Sequence, residues 1–348
     1  MDPSVILSAS TDYADLALDE LETAAPKARA AAIAPGTHAI TGVSFAELAQ
    51  SWRERPPIFI RHLAPVDFTQ SLSGTPADLD ALEHAVTAAL AERMTNVPFS
   101  VQTRIIAGSD AYKAFDVNSR VSQRLAQHVA AKLDVRHPSQ IVSILIQADR
   151  AHIGLSSPSD NLSKWSGGQH RLAREDAMLS RAEFKLLEAL DTFELKLPPG
   201  GRVLDLGAAP GGWTRILRKL EQNVVAVDPA RLHPSLESDS SIEPHRTTAE
   251  SYLPTARKPF QAIFNDIRQE PRDSAALMQR YAHLIAPGGF ALMTLKLRHG
   301  KRSQFLAATL RLLAQTYTKH RARQLFHNRS EVTILLQEPR LESGADEA

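Results

Sequence analysis

Residues 203–214 read Val-Leu-Asp-Leu-Gly-Ala-Ala-Pro-Gly-Gly-Trp-Thr: an apolar run, a Gly-rich turn and the start of a helix. No other stretch restricts the fold as tightly. Glycine has no Cβ, so the end of this turn admits a ligand close to the backbone. About twenty residues further on, the typical separation in a βαβ unit, a second apolar run, Val224-Val225-Ala226-Val227, ends in Asp228. An acid at the tip of the second strand is placed to bind the ribose hydroxyls of a nucleoside. Glycines alone are a weak signal. The ordered set of strand, Asp205, turn, helix, strand and Asp228 is a strong one.

Two classes of cofactor fit that order, and the spacing separates them. A dinucleotide fingerprint is G-x-G-x-x-G, which seats a pyrophosphate on a helix N-terminus. Here the turn reads Gly207-Ala208-Ala209-Pro210-Gly211-Gly212, directly after Asp205 and Leu206. A pyrophosphate is a poor neighbour for Asp205, whereas a cationic sulfonium is a good one. The expected cofactor is therefore S-adenosylmethionine. Its expected contacts are Asp205, Gly207, Ala208, Pro210, Gly211, Gly212, Trp213 and Asp228, with Asp266 from a later strand end. Trp213 has two readings, stacking on the ligand or packing its own helix. The bland alternative is a strand, turn and helix with no ligand.

The 348 residues suffice for two domains. There are no cysteines, which excludes disulfides, thiolate zinc sites and cysteine nucleophiles, and no metal site is implied. Met1-Asp2-Pro3-Ser4 does not begin a basic-then-apolar leader. No apolar run approaches the ~20 residues of a membrane span. The expectation is a soluble cytoplasmic protein.

The net charge of +1 conceals an asymmetry. Residues 1–160 carry 13 Lys+Arg against 18 Asp+Glu, and residues 161–348 carry 27 against 21. From Ser274 through Ser330 there is no carboxylate, while Arg298, Lys301, Arg302, Arg321, Arg323 and Arg329 are among the basic residues. Solvated helices usually interleave both signs. A one-signed stretch beside a nucleoside site points to a polyanion, and these six residues are its candidate contacts. The alternative is a basic face without a partner.

Strand and helix patterns alternate from Val5 to Leu155, which predicts α+β structure before a linker around Ser166-Gly167-Gly168. A helix over about 180–193 leads to Pro198-Pro199-Gly200-Gly201 and a repeated βα pattern. That pattern predicts a parallel, Rossmann-like sheet with ligands beyond the strand carboxyl ends. The expected division is 1–65 as an N-terminal α+β subdomain and 66–160 as a second α+β domain. Residues 161–198 are expected as linker and helix, 199–340 as the nucleoside-binding domain, and 341–348 as a tail.

Four residues suit methyl transfer to an oxygen. Asp266 follows the strand Ala262-Ile263-Phe264-Asn265, and Lys296 follows Leu292-Met293-Thr294-Leu295. Glu331 precedes the last strand, and Lys185 lies on the helix before the first. Singly, each reads as a surface charge. A ribose hydroxyl is a weak nucleophile, so a base should take its proton as the bond forms. Lysine has an ordinary pKa near 10.4, which a second amine and partial burial can lower toward roughly 7–8. Lys296 beside Lys185 offers this, with Asp266 and Glu331 orienting the amines.

These residues carry a resemblance. Lys185, Asp266, Lys296 and Glu331, arranged around Asp-Leu-Gly-Ala-Ala-Pro-Gly-Gly-Trp, resemble the Lys-Asp-Lys-Glu tetrad of FtsJ-type RNA 2′-O-ribose methyltransferases. Ser-Arg-Ala-Glu-Phe-Lys-Leu-Leu-Glu-Ala and Arg-Gln-Leu-Phe-His-Asn-Arg-Ser-Glu-Val-Thr match in context. The resemblance covers about 161–338. It extends to the bacterial enzymes that 2′-O-methylate a cytidine of 23S ribosomal RNA and carry an N-terminal THUMP domain. It implies an S-adenosylmethionine-dependent α/β enzyme acting on structured, ribosomal RNA, with Lys296 as base and a THUMP-like region over about 66–160. Asp266 is followed by Ile267-Arg268 where shorter relatives have a Met-Ala-Pro-like run. Glu250 stands near the place where many relatives use an adenine-binding Asp, and its role is open. The alternatives are a tRNA methyltransferase and a non-catalytic RNA-binding or ribosome-assembly protein. Asn265-Asp266-Ile267-Arg268 lacks the prolines that base methylases carry after the fourth strand. Oligomeric state is not legible.

Overall fold

The computed structural model describes residues 2–108, 110–172, 178–297 and 300–340. The chain divides into two compact units, Met1–Arg171 and Leu172–Ala348. Arg298 and the tail 341–348 lie outside the described residues.

The first unit holds two four-stranded sheets. Its chain runs β1 (Val5–Ala9), α1 (Ala14–Ala24), β2 (Arg29–Ala34), β3 (Thr37–Thr41), α2 (Phe45–Glu54) and β4 (Ile60–Pro65). It continues with β5 (Phe68–Ser71), α3 (Ala77–Leu90), β6 (Phe99–Ala107), α4 (Ala114–His128), β7 (Gln140–Gln147) and β8 (Arg150–Ser156). The first sheet has the order β2-β3-β1-β4 and the second β5-β8-β7-β6. In the second, β6 and β7 are parallel and covered by α3 and α4. Leu82, Val86 and Leu90 of α3 and Val117, Val121 and Leu125 of α4 supply the buried stripes, at the three-to-four spacing of an amphipathic helix.

Residues 161–171 correct the expected linker, because they pack into this first unit. Asn161 O accepts from Leu63 N at 3.0 Å. Gly167 (φ +62°) lies against the Arg104 guanidinium and Gly168 (φ +66°) against Arg61, leaving no room for a Cβ at either position. A Gly-rich run is here a close-packed turn.

The second unit runs α5 (Ala182–Thr192), β9 (Arg202–Leu206), α6 (Gly212–Lys219), β10 (Asn223–Val227), α7 (Pro234–Glu237) and β11 (Ile242–His245). Then come α8 (Ala249–Tyr252), β12 (Phe260–Asn265), α9 (Pro271–Tyr281), β13 (Ile285–Lys296), α10 (Arg302–Leu313), β14 (Tyr317–Arg323) and β15 (Glu331–Pro339). The sheet order is β11-β10-β9-β12-β13-β15-β14. β9 through β13 pair in parallel, as expected for apolar strands buried on both faces. The expectation of a wholly parallel sheet is corrected at one edge, where β15 runs antiparallel to both β13 and β14. Leu186 and Ala189 of α5, Phe193 just after it, and Trp213, Ile216 and Leu217 of α6 face one core with Val203, Ala226 and Phe264.

The basic stretch is also corrected. Its charges are contiguous in sequence but scattered in space. Arg323 is buried, which removes it as an RNA contact. Arg321 caps the ring of Phe193 at 5.3 Å and donates to Phe193 O at 2.9 Å. Lys319 pairs with Glu338 across the β14–β15 ladder at 2.5 Å. Of the six expected contacts, Lys301 and Arg329 are exposed without such partnerships among the described residues, and Arg302 is half-buried at the start of α10. Among the described residues, no helix is long and apolar enough to cross a membrane.

Candidate active site

The site lies at the carboxyl ends of β9, β10, β12 and β13. β9 delivers Asp205 and then the turn, which enters α6 through Gly211 at φ +114°, a conformation that strongly favours glycine. The space freed by these glycines is filled by the chain itself. A Cβ on Gly207 would meet Ile267, one on Gly211 would meet Leu236, and one on Gly212 would meet Ser180 Oγ. These glycines make room for Ile267, Leu236 and Ser180 rather than for the expected ligand.

Trp213 is a core residue. It is buried, its Nε1 donates to Ala182 O at 2.7 Å, and its ring meets Phe264 edge-on. The side chain thus locks α5 onto α6, and the stacking alternative is set aside. Ala208 is buried in the same cluster. Asp228 fastens the turn: its carboxylate accepts from Ala209 N at 3.2 Å and Ala230 N at 2.7 Å. Glu250 accepts from Gln269 Nε2 at 2.9 Å.

Asp205 is buried beneath the turn and accepts from Thr214 Oγ1 at 2.6 Å. Burial pushes its carboxyl up to about 7. The Thr214 hydrogen bonds oppose the rise, while the charges of Asp266 and Asp228 add to it. Three carboxylates therefore converge on one turn. That donor set repels a pyrophosphate and suits a cation on a nucleoside, so the residues present fit S-adenosylmethionine.

This burial has a checkable consequence. The unfolded carboxyl ionises near 3.9, while the folded one keeps its proton to about 7. Folded-state stability is thus lost between those pH values, and the full penalty stands above about 7. Asp205→Asn is expected to stabilise the ligand-free protein by up to a few kcal/mol at pH 8. The gain should shrink as pH falls and vanish below about pH 4. Thermal unfolding of both proteins across that range tests it, and a pH-independent difference refutes it.

Four charged side chains converge beside this turn. Lys185 Nζ lies 2.9 and 3.0 Å from the two oxygens of Asp266 and 3.0 Å from Glu331 Oε2. Lys296 Nζ stands 4.0 Å from Glu331 Oε1. The antiparallel reversal explains the position of Glu331. As the first residue of β15 it is the register partner of Lys296, the last of β13. Burial pulls the Lys185 amine down, but the Asp266 and Glu331 charges and hydrogen bonds outweigh it and hold it above the ordinary lysine range. Lys185 is 14% exposed and Lys296 36%.

Sequence reasoning missed several residues around this cluster. Thr294 Oγ1 donates to Asp266 Oδ1 at 2.5 Å. Its signal was the two-residue spacing from Lys296, which puts both on one face of β13. Glu188, one helical turn beyond Lys185, is buried and accepts from Phe326 N (2.7 Å) and His327 N (2.8 Å). An acid within the apolar run Leu186-Leu187-Glu188-Ala189-Leu190 was the available sign. The cluster opens into a cleft of about 530 Å³, also lined by Arg181, Phe184, Arg268, Phe326, His327 and Arg329.

Residues 178–273 match the FtsJ-like methyltransferase family. The FtsJ-like segment spans α5 to the start of α9 and contains Lys185, Asp205, the turn, Asp228 and Asp266. Beyond it, the chain is similar to proteins named ribosomal RNA large subunit methyltransferase M. The relative from Alkalilimnicola ehrlichii is 34% identical over 53% of this chain and 52% of its own length. The one from Xylella fastidiosa is 32% identical over 61% of each. The match therefore spans only about half to three-fifths of those relatives. Among solved structures, TrmN from Thermus thermophilus aligns over 96% of this chain and 99% of its own, at 19% identity and a TM-score of 0.40. That likeness is too slight to bear on function.

Proposed function

We propose that this chain is an S-adenosylmethionine-dependent RNA 2′-O-ribose methyltransferase whose substrate is a cytidine of large-subunit ribosomal RNA. One observation carries the reading: Lys185, Asp266, Lys296 and Glu331 gather at one end of the central strands beside an acidic, Gly-rich nucleoside turn. The names of the similar proteins support the ribosomal choice.

When bound, S-adenosylmethionine supplies a methyl group on a cationic sulfur. In the proposed reaction Asp228 holds the cofactor ribose, and Asp228 and Asp266 supply the compensating negative field, to which Asp205 adds fully only above about pH 7. Lys185, tied to two carboxylates, stays protonated and positions them. Lys296 is the more accessible amine and takes the proton of the substrate 2′-hydroxyl. Fixing that hydroxyl at attack distance supplies up to about 7–11 kcal/mol by proximity. Lys301, Arg302 and Arg329 offer charge to the RNA backbone, and residues 66–160 act as a THUMP-like RNA-binding domain beside the 1–65 subdomain.

The test is mapping of alkali-resistant ribose positions in RNA from cells with and without this gene, repeated in vitro with the purified chain. One resistant cytidine in large-subunit RNA that depends on the gene is the expected result. Methylation of a tRNA base supports the tRNA alternative. Absence of S-adenosylmethionine binding by calorimetry supports the non-catalytic one.

A further inference from the structure

The cleft holds more aromatic surface than methylating a ribose requires. In an A-form duplex the 2′-hydroxyls line a wide, shallow minor groove, so an enzyme can reach one without disturbing its base. Here Phe184, immediately before Lys185 on α5, stacks on His327 with ring centroids 5.0 Å apart and planes inclined by 26°. Phe326 meets His327 nearly edge-on at 5.1 Å. All three line the cavity that holds Lys185, Asp266, Lys296 and Glu331. The two segments are fixed to each other through Glu188, which accepts the Phe326 and His327 amides. This wall therefore stands on a helix and a tethered loop.

Three arginines share the cavity. Arg181, Arg268 and Arg329 are exposed, and none of their guanidinium groups meets a carboxylate among the described residues. The neighbouring Lys185, by contrast, is fully paired. Open guanidinium groups around a flat aromatic wall match a nucleic acid strand whose phosphates lie outside and whose base turns inward.

We infer that the Phe184–His327 stack is a platform for an unpaired nucleobase, with Arg181, Arg268 and Arg329 holding the adjoining phosphates. The site then takes its nucleotide from a single-stranded or opened segment rather than from an intact duplex. The assignment rests on the proposed RNA methyltransferase reading and makes its substrate class narrower. Phe184 and His327 are substrate-binding residues in this scheme, and Glu188 is a positioning residue.

The test measures binding by the full chain, so it does not depend on methyl transfer. Two fluorescein-labelled probes are compared: an eight-nucleotide oligocytidylate and the same ribose-phosphate backbone without bases. Stacking of a base on an aromatic side chain corresponds to roughly 5- to 150-fold in affinity. Wild type is expected to favour the base-bearing probe by a factor in that range and to bind a perfectly paired duplex more weakly. Phe184→Ala and His327→Ala are each expected to cut the preference at least about fivefold while barely changing affinity for the abasic probe. Phe184→Tyr and His327→Phe should retain it. Changing Arg181, Arg268 and Arg329 together to Gln should weaken both probes alike and reduce the salt slope by about 2.

No preference for bases in wild type overturns the inference, as does equal weakening of both probes by the alanine variants or undiminished duplex binding. If Phe184→Ala fails to fold, His327→Ala carries the test. S-adenosylmethionine calorimetry separates the two readings. Lost cofactor binding with an intact base preference sinks the methyltransferase reading alone, whereas the reverse sinks only the platform.

Discussion

Lys296→Ala is expected to lower methyl transfer to RNA by about 10²- to 10⁴-fold, the usual contribution of a positioned general acid or base. Affinity for S-adenosylmethionine should change by less than about threefold, since that residue faces Glu331 and the cleft rather than the Gly-rich turn. The choice between the two amines is physical. Lys185 makes three contacts of 3.0 Å or less to carboxylate oxygens and is held protonated, so it has no vacancy for a substrate proton. Single-turnover methylation with calorimetry on the same preparation checks the expectation. Full activity in Lys296→Ala removes this residue as the base, and loss of cofactor binding with loss of activity assigns it a different role.

Lys185→Met is expected to damage both structure and turnover. The substitution leaves Asp266 and Glu331 facing one another without the cation between them. Removing one partner of a fully buried ion pair costs about 3–5 kcal/mol. These side chains keep 12–20% exposure, so roughly 2–4 kcal/mol is expected. The sign with pH is fixed by the direction of the Lys185 shift. A raised amine pKa gives stabilisation that is complete below the unfolded value near 10.4 and fades only above it. The stability difference attributable to this amine should therefore be flat between about pH 6 and 9. Denaturant titrations at several pH values check this, and adding Asp266→Asn to Lys185→Met should recover part of the loss. A difference that collapses within that window refutes the assignment.

The nucleoside-binding half was legible because its strands are apolar on both faces and its acids stand at strand tips. Asp205, the turn and Asp228 follow from that pattern. Lys185 and Glu331 were less legible, because neither follows a strand in the chain, and only the need of methyl transfer for paired amines and carboxylates singled them out before the resemblance. Their convergence depends on the antiparallel β15 and on α5 packing through Trp213, which are long-range features. β2, β3 and α2 escaped notice. The strand Arg29–Ala34 is mostly alanine and exposed, so burial left no alternation to read. Helix α2 carried its own sign in Ser44-Phe45-Ala46-Glu47, a reciprocal cap that the structure contains. The basic stretch misled because sequence proximity was taken for spatial proximity. Arg321 and Arg323 went to a carbonyl and to the interior.

The ladder between β13 and β15 fixes Lys296 opposite Glu331 through main-chain pairing. The 34 intervening residues do not set that distance. Within that excursion, positions that neither pack the core, as Leu306, Leu313 and Tyr317 do, nor line the cleft are thus open to change, as long as the returning strand enters in the same phase. Shortening or regrafting that excursion is a route to altered RNA preference with the reaction geometry preserved. A slip of one residue, by contrast, would turn the Glu331 carboxylate to the opposite side of the sheet.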